Sequence, residues 1–397
     1  MPEKIQVDWL IENGRVIDGS RDIDRVGRVA ILNRRIAELP PGAKIEAKNT
    51  IDAEGCLVIP GMVDFHTHFY NGGAVPGVNP DLAYLPAGVT FAVDQGSAGF
   101  ANYRMHLFQG AYSAIRKKYY LHISPIGQVF AAYAPEPYIP SKWDREPYRA
   151  ALEDGKDQFV GLKLRFEKSV IGDTDPKMLL KEAIRLADDL GQRLSIHITD
   201  PALPMQEVVR YLRPGDTVTH VFHGRGHTIF DENGRIYPEI LRARENGVIY
   251  DVAHGGVNFS PRVARRAIEA GFYPDSISSD NTRYGWLKPD LGSLPNVMSM
   301  FLSFGMSVPD IIRRVTVNPA RTIGAEAMAG TLRPGAYGDV TILKIVDKRV
   351  PFTNSFGEQW EGEQIFVPQA VILNGELVYK PEDAAIRRTA AKYGLIW

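Results

Sequence analysis

The sequence predicts an α/β chain in which a (β/α)8 TIM-like barrel is joined to a small β-sandwich built from both chain ends. Three observations predict it. Short strand-like runs separated by turn signals crowd the first fifty-odd residues, a matching block recurs near the other end, and between them apolar runs alternate with helical stretches. The 397-residue length suits one large domain with a small companion. A doubly wound open sheet is the structural alternative, because βα alternation alone does not separate the two.

The opening block carries strand-like runs at 9–11, 15–17, 29–32 and 35–37, punctuated by Asn13-Gly14 and Pro40-Pro41-Gly42. Its counterparts lie at 338–343 and 370–375. Neither block alone has enough strands to bury two faces, so a sandwich of residues 1–55 plus 330–380 is the economical solution. Residues 56–329 then form the barrel, with strands expected at 56–65, 89–94, 121–129, 159–166, 194–198, 217–222, 248–252 and 276–279. Intervening segments such as 177–191 and 261–271 have helical spacing and close on a glycine. Residues 381–397 are expected as a C-terminal tail or helix.

Composition excludes several classes of function. With 44% hydrophobic and 23% charged residues the chain is ordinary globular protein rather than disordered. A formal net charge of -1, with acids and bases interspersed, lacks the footprint of a nucleic-acid binder or of a protein that seeks anionic membranes. Cys56 is the only cysteine, so no intrachain disulfide and no cysteine-based zinc site can form. Any metal must be held by imidazole and oxygen. Residues 1–10 lack the hydrophobic stretch of a signal peptide, and no apolar run approaches the roughly 20 residues that span a bilayer. The expectation is a cytoplasmic protein with no nucleic-acid or membrane partner. Homo-oligomers are common among soluble enzymes, so a dimer or larger assembly is the base-rate expectation.

Catalytic groups of a β/α barrel come from the C-terminal ends of several strands. The first barrel strand ends in Asp64-Phe65-His66-Thr67-His68, and a period of two points His66 and His68 to one side, where they can share a metal. Strand five ends at His197, strand six at His220, strand eight at Asp280, and strand four carries Lys163. A lone histidine at a strand end is more often packed or hydrogen-bonded than a ligand. Four histidines and one aspartate at predicted strand ends make a joint arrangement that chance explains poorly. Lys163 has two readings. As a cation on an apolar strand it is expensive to bury unless a carboxylate pairs with it, whereas its amine could instead react with carbon dioxide to give a metal-bridging carbamate.

The HxH strand preceded by Pro60-Gly61, followed in order by Lys163, His197, His220 and Asp280, resembles the amidohydrolase superfamily. The resemblance covers nearly the whole chain and is strongest to its dihydroorotase-like branch of amidohydrolase/deacetylase metallohydrolases. It is carried by Gly72-Gly73, Asp94-Gln95-Gly96-Ser97-Ala98-Gly99, Gly161-Leu162-Lys163-Leu164-Arg165, Gly215-Asp216-Thr217-Val218-Thr219-His220, His254-Gly255-Gly256 and Ser276-Ile277-Ser278-Ser279-Asp280. The resemblance implies two divalent ions, usually zinc. His66, His68 and Asp280 would hold the more buried ion, His197 and His220 the more exposed one, and a carbamylated Lys163 would bridge them. It further implies attack by a metal-bridging hydroxide, with Asp280 as general base and then general acid.

Asp64 faces the same way as His66, either as a partner for it or as a structural hydrogen-bonding group. His223 stands where many relatives carry asparagine, which points to a pocket role in substrate binding. Arg225 lies in a glycine-flanked loop, and His254 at the end of strand seven is either a further candidate substrate contact or a packed histidine. Arg165, Arg225, Arg262 and Arg283 could each bind a substrate carboxylate in two-point fashion. The expected reaction is hydrolysis of an acyl amide or acyl ester on a small anionic molecule. Ring opening of a cyclic amide is the alternative, and a non-catalytic metal-binding scaffold is the reading from another class.

Overall fold

The two sequence patterns become two separate sheets in the computed structural model, which describes residues 4–131, 133–286 and 292–381. The N-terminal end supplies β1 (Lys4–Asp18), β2 (Ile23–Leu32), β3 (Arg35–Ala37), β4 (Lys44–Asp52) and β5 (Leu57–Pro60). The middle of the chain supplies β6 (Met62–Thr67), β7 (Val89–Gly99), β8 (Arg116–His122), β9 (Phe159–Arg165), β10 (Leu194–His197), β11 (Thr217–Thr219) and β12 (Ile249–Asp251). The other end returns as β13 (Val340–Thr353), β14 (Gln359–Leu373) and β15 (Glu376–Tyr379). Residues 382–397, where a tail or helix is expected, lie outside the described residues.

The small domain is one mixed sheet in the order β15-β14-β13-β5-β1-β2-β3, with β4 also paired to β1. The two short runs expected at 9–11 and 15–17 are a single strand, because Asn13-Gly14 makes a bulge there instead of a turn. The β1–β2 register shifts between Ile11 and Gly14, and Asn13 takes φ 63°. A side chain at Gly14 would put its Cβ 2.5 Å from Val58 Cγ2, so the bulge needs glycine. Ile36 of β3 and Ile372 of β14 come from opposite ends of the strand order, yet they share one core with Ile11, Val58 and Val340. The sheet therefore curls over on itself, and strands from the N-terminal and C-terminal parts of the chain share one core.

The run expected as one strand at 56–65 divides at Gly61. Leu57–Pro60 pairs with β1 and β13 in the small sheet, and Met62–Thr67 pairs with β7 in the barrel. A Cβ at Gly61 would lie 2.1 Å from Thr90 Oγ1, so the crossing from one sheet to the other is tight enough to require glycine. Beside it, Arg116 and Asp339 tie barrel to small domain at 2.7 Å.

Strands β6 to β12 run parallel in chain order. The eighth position is taken by residues 276–281, which bridge to Asp251 on one side and to Thr67 on the other. Val252 N donates to Ser276 O, His254 N to Ser278 O, and Asp280 N to His66 O, so the ring closes. Alternation does the sorting. Val63 and Phe65 face outward onto Ala320 and Ile323, while Asp64 and His66 face inward. Leu162 and Leu164 likewise flank the inward Lys163. Around Lys163 the barrel interior is polar, with Gln95, Ser195 and Thr219, where many barrels stack branched apolar layers.

The largest departure from expectation is the β13–β14 hairpin. Its strands run well past the expected 338–343 and 370–375, lie along the helix Leu294–Ser303, and bring residues 354–358 to the C-terminal mouth of the barrel, where Ser355 N donates to Gly256 O at 3.1 Å.

Candidate metal centre

Parallel strands closed into a ring bring their C-terminal ends to one rim, and the six histidine, lysine and aspartate positions expected there converge. One imidazole nitrogen each from His66 and His68 and one carboxylate oxygen of Asp280 all lie within 4.8 Å of one another. The His220 ring lies 5.0 Å from that of His66 and 4.2 Å from that of His197. Lys163 Nζ is held below them by Thr219 Oγ1 at 3.3 Å and Gln95 Oε1 at 3.4 Å. Closing the last strands bends the backbone. His220, Ala253 and Asp280, at the ends of strands six, seven and eight, take φ of 65°, 43° and 47°, a strained region for residues with a Cβ.

Three of the four imidazoles have one nitrogen bonded to a supporting group, and the fourth, that of His66, has a carboxylate beside it. His66 Nδ1 lies 3.4 Å from Asp251 Oδ2, and His68 Nδ1 lies 2.9 Å from Ser97 Oγ, which itself donates to Asp94. His197 Nε2 faces Glu167 Oε2 at 3.1 Å, and His220 Nδ1 faces Ala253 O at 2.7 Å. Such partners fix tautomer and ring orientation and leave the other nitrogen for the site. The other nitrogen of His220, Nε2, is buried and has no hydrogen-bond partner. Asp280 presents Oδ1 to His66 at 3.8 Å and to His68 at 3.4 Å, while Asn258 Nδ2 donates to its Oδ2 at 2.9 Å.

The electrostatics suit a ligand set. Burial first, then the neighbouring Lys163 and histidines, hold His66 and His220 well below the usual imidazole range, and burial with Arg165 and Lys163 does the same for His197. These rings are neutral, the form that binds a metal. Burial by itself would raise Asp280, but bonds and charges from His68, His220 and Asn258 outweigh it and keep the carboxylate ionised. Burial pushes the Lys163 amine down to about 7, against the upward pull of Asp280 and Asp251. Two imidazoles with a carboxylate, and two more imidazoles beside them, are a nitrogen and oxygen donor set that fits a zinc-type divalent ion.

The comparisons with known proteins point the same way. The profile of the amidohydrolase family matches residues 57–378. A deacetylase of Agrobacterium fabrum is 31% identical over 333 residues, 83% of this chain and 80% of its own length. This chain belongs to the amidohydrolase family. Among solved structures, an adenine deaminase matches this amidohydrolase with TM-score 0.84 at 26% identity, over 94% of this chain and all of that one. A dihydroorotase matches with TM-score 0.83 at 27% identity, over 94% and 99%. The amidohydrolase barrel and the separate sheet domain are therefore the fold that the sequence predicted.

The remaining expected positions fall in different places. His223 is fully buried, and burial pushes it down to about 4 against a raising backbone contact with Arg225. His254 is also buried and pushed down to about 4; its Nδ1 accepts from Gly256 N, which leaves an unpartnered Nε2–H. Arg225 is exposed at the rim with its guanidinium 4.3 Å over Phe356. Arg283 is exposed as well and does not join the cluster. Two of the arginines offered as carboxylate binders are otherwise placed: Glu136 holds Arg165 at 2.9 Å, and Arg262 projects outward toward Glu358. Asp64 is structural. It takes the N–H and hydroxyl of Ser279 and so clamps strand eight to strand one, while Asp251 is the carboxylate beside His66.

Several supporting residues were not singled out from the sequence. Asp94, Gln95 and Ser97 lie inside the quoted Asp94–Gly99 motif, and the inward parity of strand seven could have found Asp251. Glu167 and Asn258 sit on loops after strands four and seven, where no periodicity points to them.

Proposed function

We propose that this amidohydrolase removes an acyl group from a small anionic molecule, cleaving an amide or ester in a deacetylase-type reaction. In this reading His66, His68 and Asp280 hold one divalent ion, His197 and His220 hold a second, zinc is the favoured metal, and a carbamylated Lys163 serves both. The observation that carries it is the convergence of four buried imidazoles and an ionised Asp280 around a buried lysine. The similarity to proteins named deacetylase supports the reaction class.

Lys163 suits the assigned role chemically. Near neutral pH a large share of an amine held at about 7 is uncharged, and the uncharged amine is the form that attacks carbon dioxide. The N–C bond forms, a proton leaves the nitrogen, and the resulting anion removes the cost of a buried cation. When bound, the two ions supply a Lewis acid for the substrate carbonyl and lower the pKa of water. Asp280, with Oδ2 held by Asn258 and Oδ1 turned toward the histidines, takes the proton from the attacking water and delivers it to the departing nitrogen or oxygen. A small-molecule substrate in the cytoplasm completes the proposal; among the described residues no helix is long and apolar enough to cross a membrane.

A second reading is opening of a cyclic amide, supported by the structural likeness to a dihydroorotase. A panel of N-acyl amino acids, acyl esters of hydroxy acids and cyclic ureides separates the two. The expected result is the highest kcat/KM on an open-chain acyl substrate, with two metal ions per chain by elemental analysis. Turnover of cyclic ureides alone would put ring opening in its place. Metal-free protein with no turnover would restore the scaffold reading.

A further inference from the structure

The tip of the β13–β14 hairpin is built into the barrel mouth in a way that the metal chemistry does not require. Asn354 is buried and organises the tip from within: its Oδ1 accepts from Phe356 N and Glu358 N at 3.0 Å each, and its Nδ2 donates to Phe259 O at 3.0 Å. Ser355 N donates to Gly256 O, and Ser260 Oγ donates to Glu358 at 3.3 Å. The segment that receives these bonds is the one that supports the general base. Asn258 donates to Asp280, and Gly255, with φ 53°, packs so closely that a Cβ there would lie 2.2 Å from Asp280 Oδ2. The hairpin is thus fastened to the loop that carries part of the catalytic floor.

The tip presents Phe356, a large apolar side chain left 45% exposed, and its ring underlies the guanidinium of Arg225. Arg225 lies two residues beyond His223 on the loop after strand six, and the next residue, Gly226, abuts Asp200 so closely that a Cβ would lie 2.4 Å from its Oδ1. The Arg225 backbone is therefore bounded on one side by this contact and the side chain on the other by the Phe356 ring. A guanidinium over an aromatic face leaves its N–H fork available for two-point bonding to a carboxylate. Held in one orientation, it loses less freedom when a ligand arrives.

We propose that the hairpin tip is a specificity element contributed by the small domain: Phe356, ordered by Asn354, positions Arg225 at the barrel mouth to receive the anionic end of the substrate. Phe356 is a positioning residue that acts through Arg225 and touches no reacting atom. The inference rests on the anionic-substrate reading above and adds to it the residues that hold the recognising arginine.

The test compares the panel's best open-chain substrate with the same molecule whose carboxylate is converted to a primary carboxamide. KM and kcat are measured for wild type, Arg225→Ala, Phe356→Leu, Phe356→Ala and Asn354→Ala, with metal content and Tm recorded for each. Arg225→Ala should abolish the KM preference for the carboxylate. Phe356→Ala should raise KM for the carboxylate by roughly two- to tenfold, and should move KM for the carboxamide less, because a cation–π contact and the pre-ordering of one long side chain are lost. Phe356→Leu keeps bulk without a π face and should shift KM in the same direction, and Asn354→Ala should follow Phe356→Ala. If Arg225→Ala abolishes the preference while the Phe356 and Asn354 variants keep it, the positioning role is overturned and the anionic-substrate reading survives. If Arg225→Ala leaves the preference intact, the role of Arg225 and of the tip is overturned and the anionic-substrate reading survives; if wild type itself shows no preference for the carboxylate, both fall. Equal changes on the two substrates in the Phe356 variants would mark a merely structural contact and would also overturn the proposal.

Discussion

The floor of the barrel mouth and its rim are built on opposite principles. On the floor His66, His68, His197, His220 and Asp280 are buried; His68, His197, His220 and Asp280 are bonded to Ser97, Glu167, Ala253 O and Asn258 in turn, and His66 lies beside Asp251. At the rim Arg225 and Arg283 are exposed and rest against aromatic rings rather than carboxylates. Groups that break bonds gain from a fixed orientation in a low-dielectric site, where their interactions are strong and need no rearrangement. Groups that select a substrate must keep their bonding capacity free until it arrives, so they sit on loops. His223 belongs to neither region. It is buried as deeply as the floor, and the backbone of Arg225 is the first neighbour that acts on it against burial.

The most severe way to break the floor is Lys163→Ala. Both metal ions and activity should be lost, and short-chain carboxylic acids with bicarbonate should partly restore them. Elemental analysis of the purified variant checks this, and full metal content would refute a bridging role for Lys163.

His223 sharpens the contrast through pH. Burial depresses its pKa from 6.5 in the unfolded chain to about 4 in the folded one. Between those values the unfolded state binds a proton that the folded state refuses. Its contribution to stability is therefore present above pH 6.5 and is lost as pH falls toward 4, to a total of about 3 kcal/mol. Urea unfolding at pH 7 and pH 4.5 should show His223→Asn losing less stability on acidification than wild type. Equal losses would mean that the ring carries its proton in the folded protein.

The smallest expected effect comes from Glu167, the partner of the least buried floor histidine. Glu167→Gln can still accept a hydrogen bond from His197 but lacks the charge, so metal affinity should fall by about tenfold, at the low end for supporting residues. Competition with a chromogenic chelator measures it. An unchanged affinity would mean that Glu167 does not orient His197, and the floor would then be less uniformly supported than its distances imply.

Strand parity made much of this site legible. His66 and His68 two residues apart, Lys163 between two apolar residues, and His197 at a strand end follow from a period of two and from the rule that barrel catalysis sits at C-terminal strand ends. The supporting shell was harder to read. Asp251 can be found by parity once its strand is placed, but the contacts of Glu167 and Asn258 join loops distant in sequence. The hairpin was missed beyond its first few residues because its outer strands are rich in charge. β14 opens with Gln359-Trp360-Glu361-Gly362-Glu363-Gln364, a stretch that reads as loop until a helix is seen packed along it.

What the sequence determined by itself is the identity and order of the chemical groups and the face on which each one points, because alternation is a local property of an extended chain. Only the tertiary structure decided which nitrogen of each imidazole is free, that Asp251 and not Asp64 stands beside His66, and that a hairpin from the far end of the chain supports Arg225. Those outcomes depend on ring closure and on contacts across more than a hundred residues, and no local pattern in the chain encodes them.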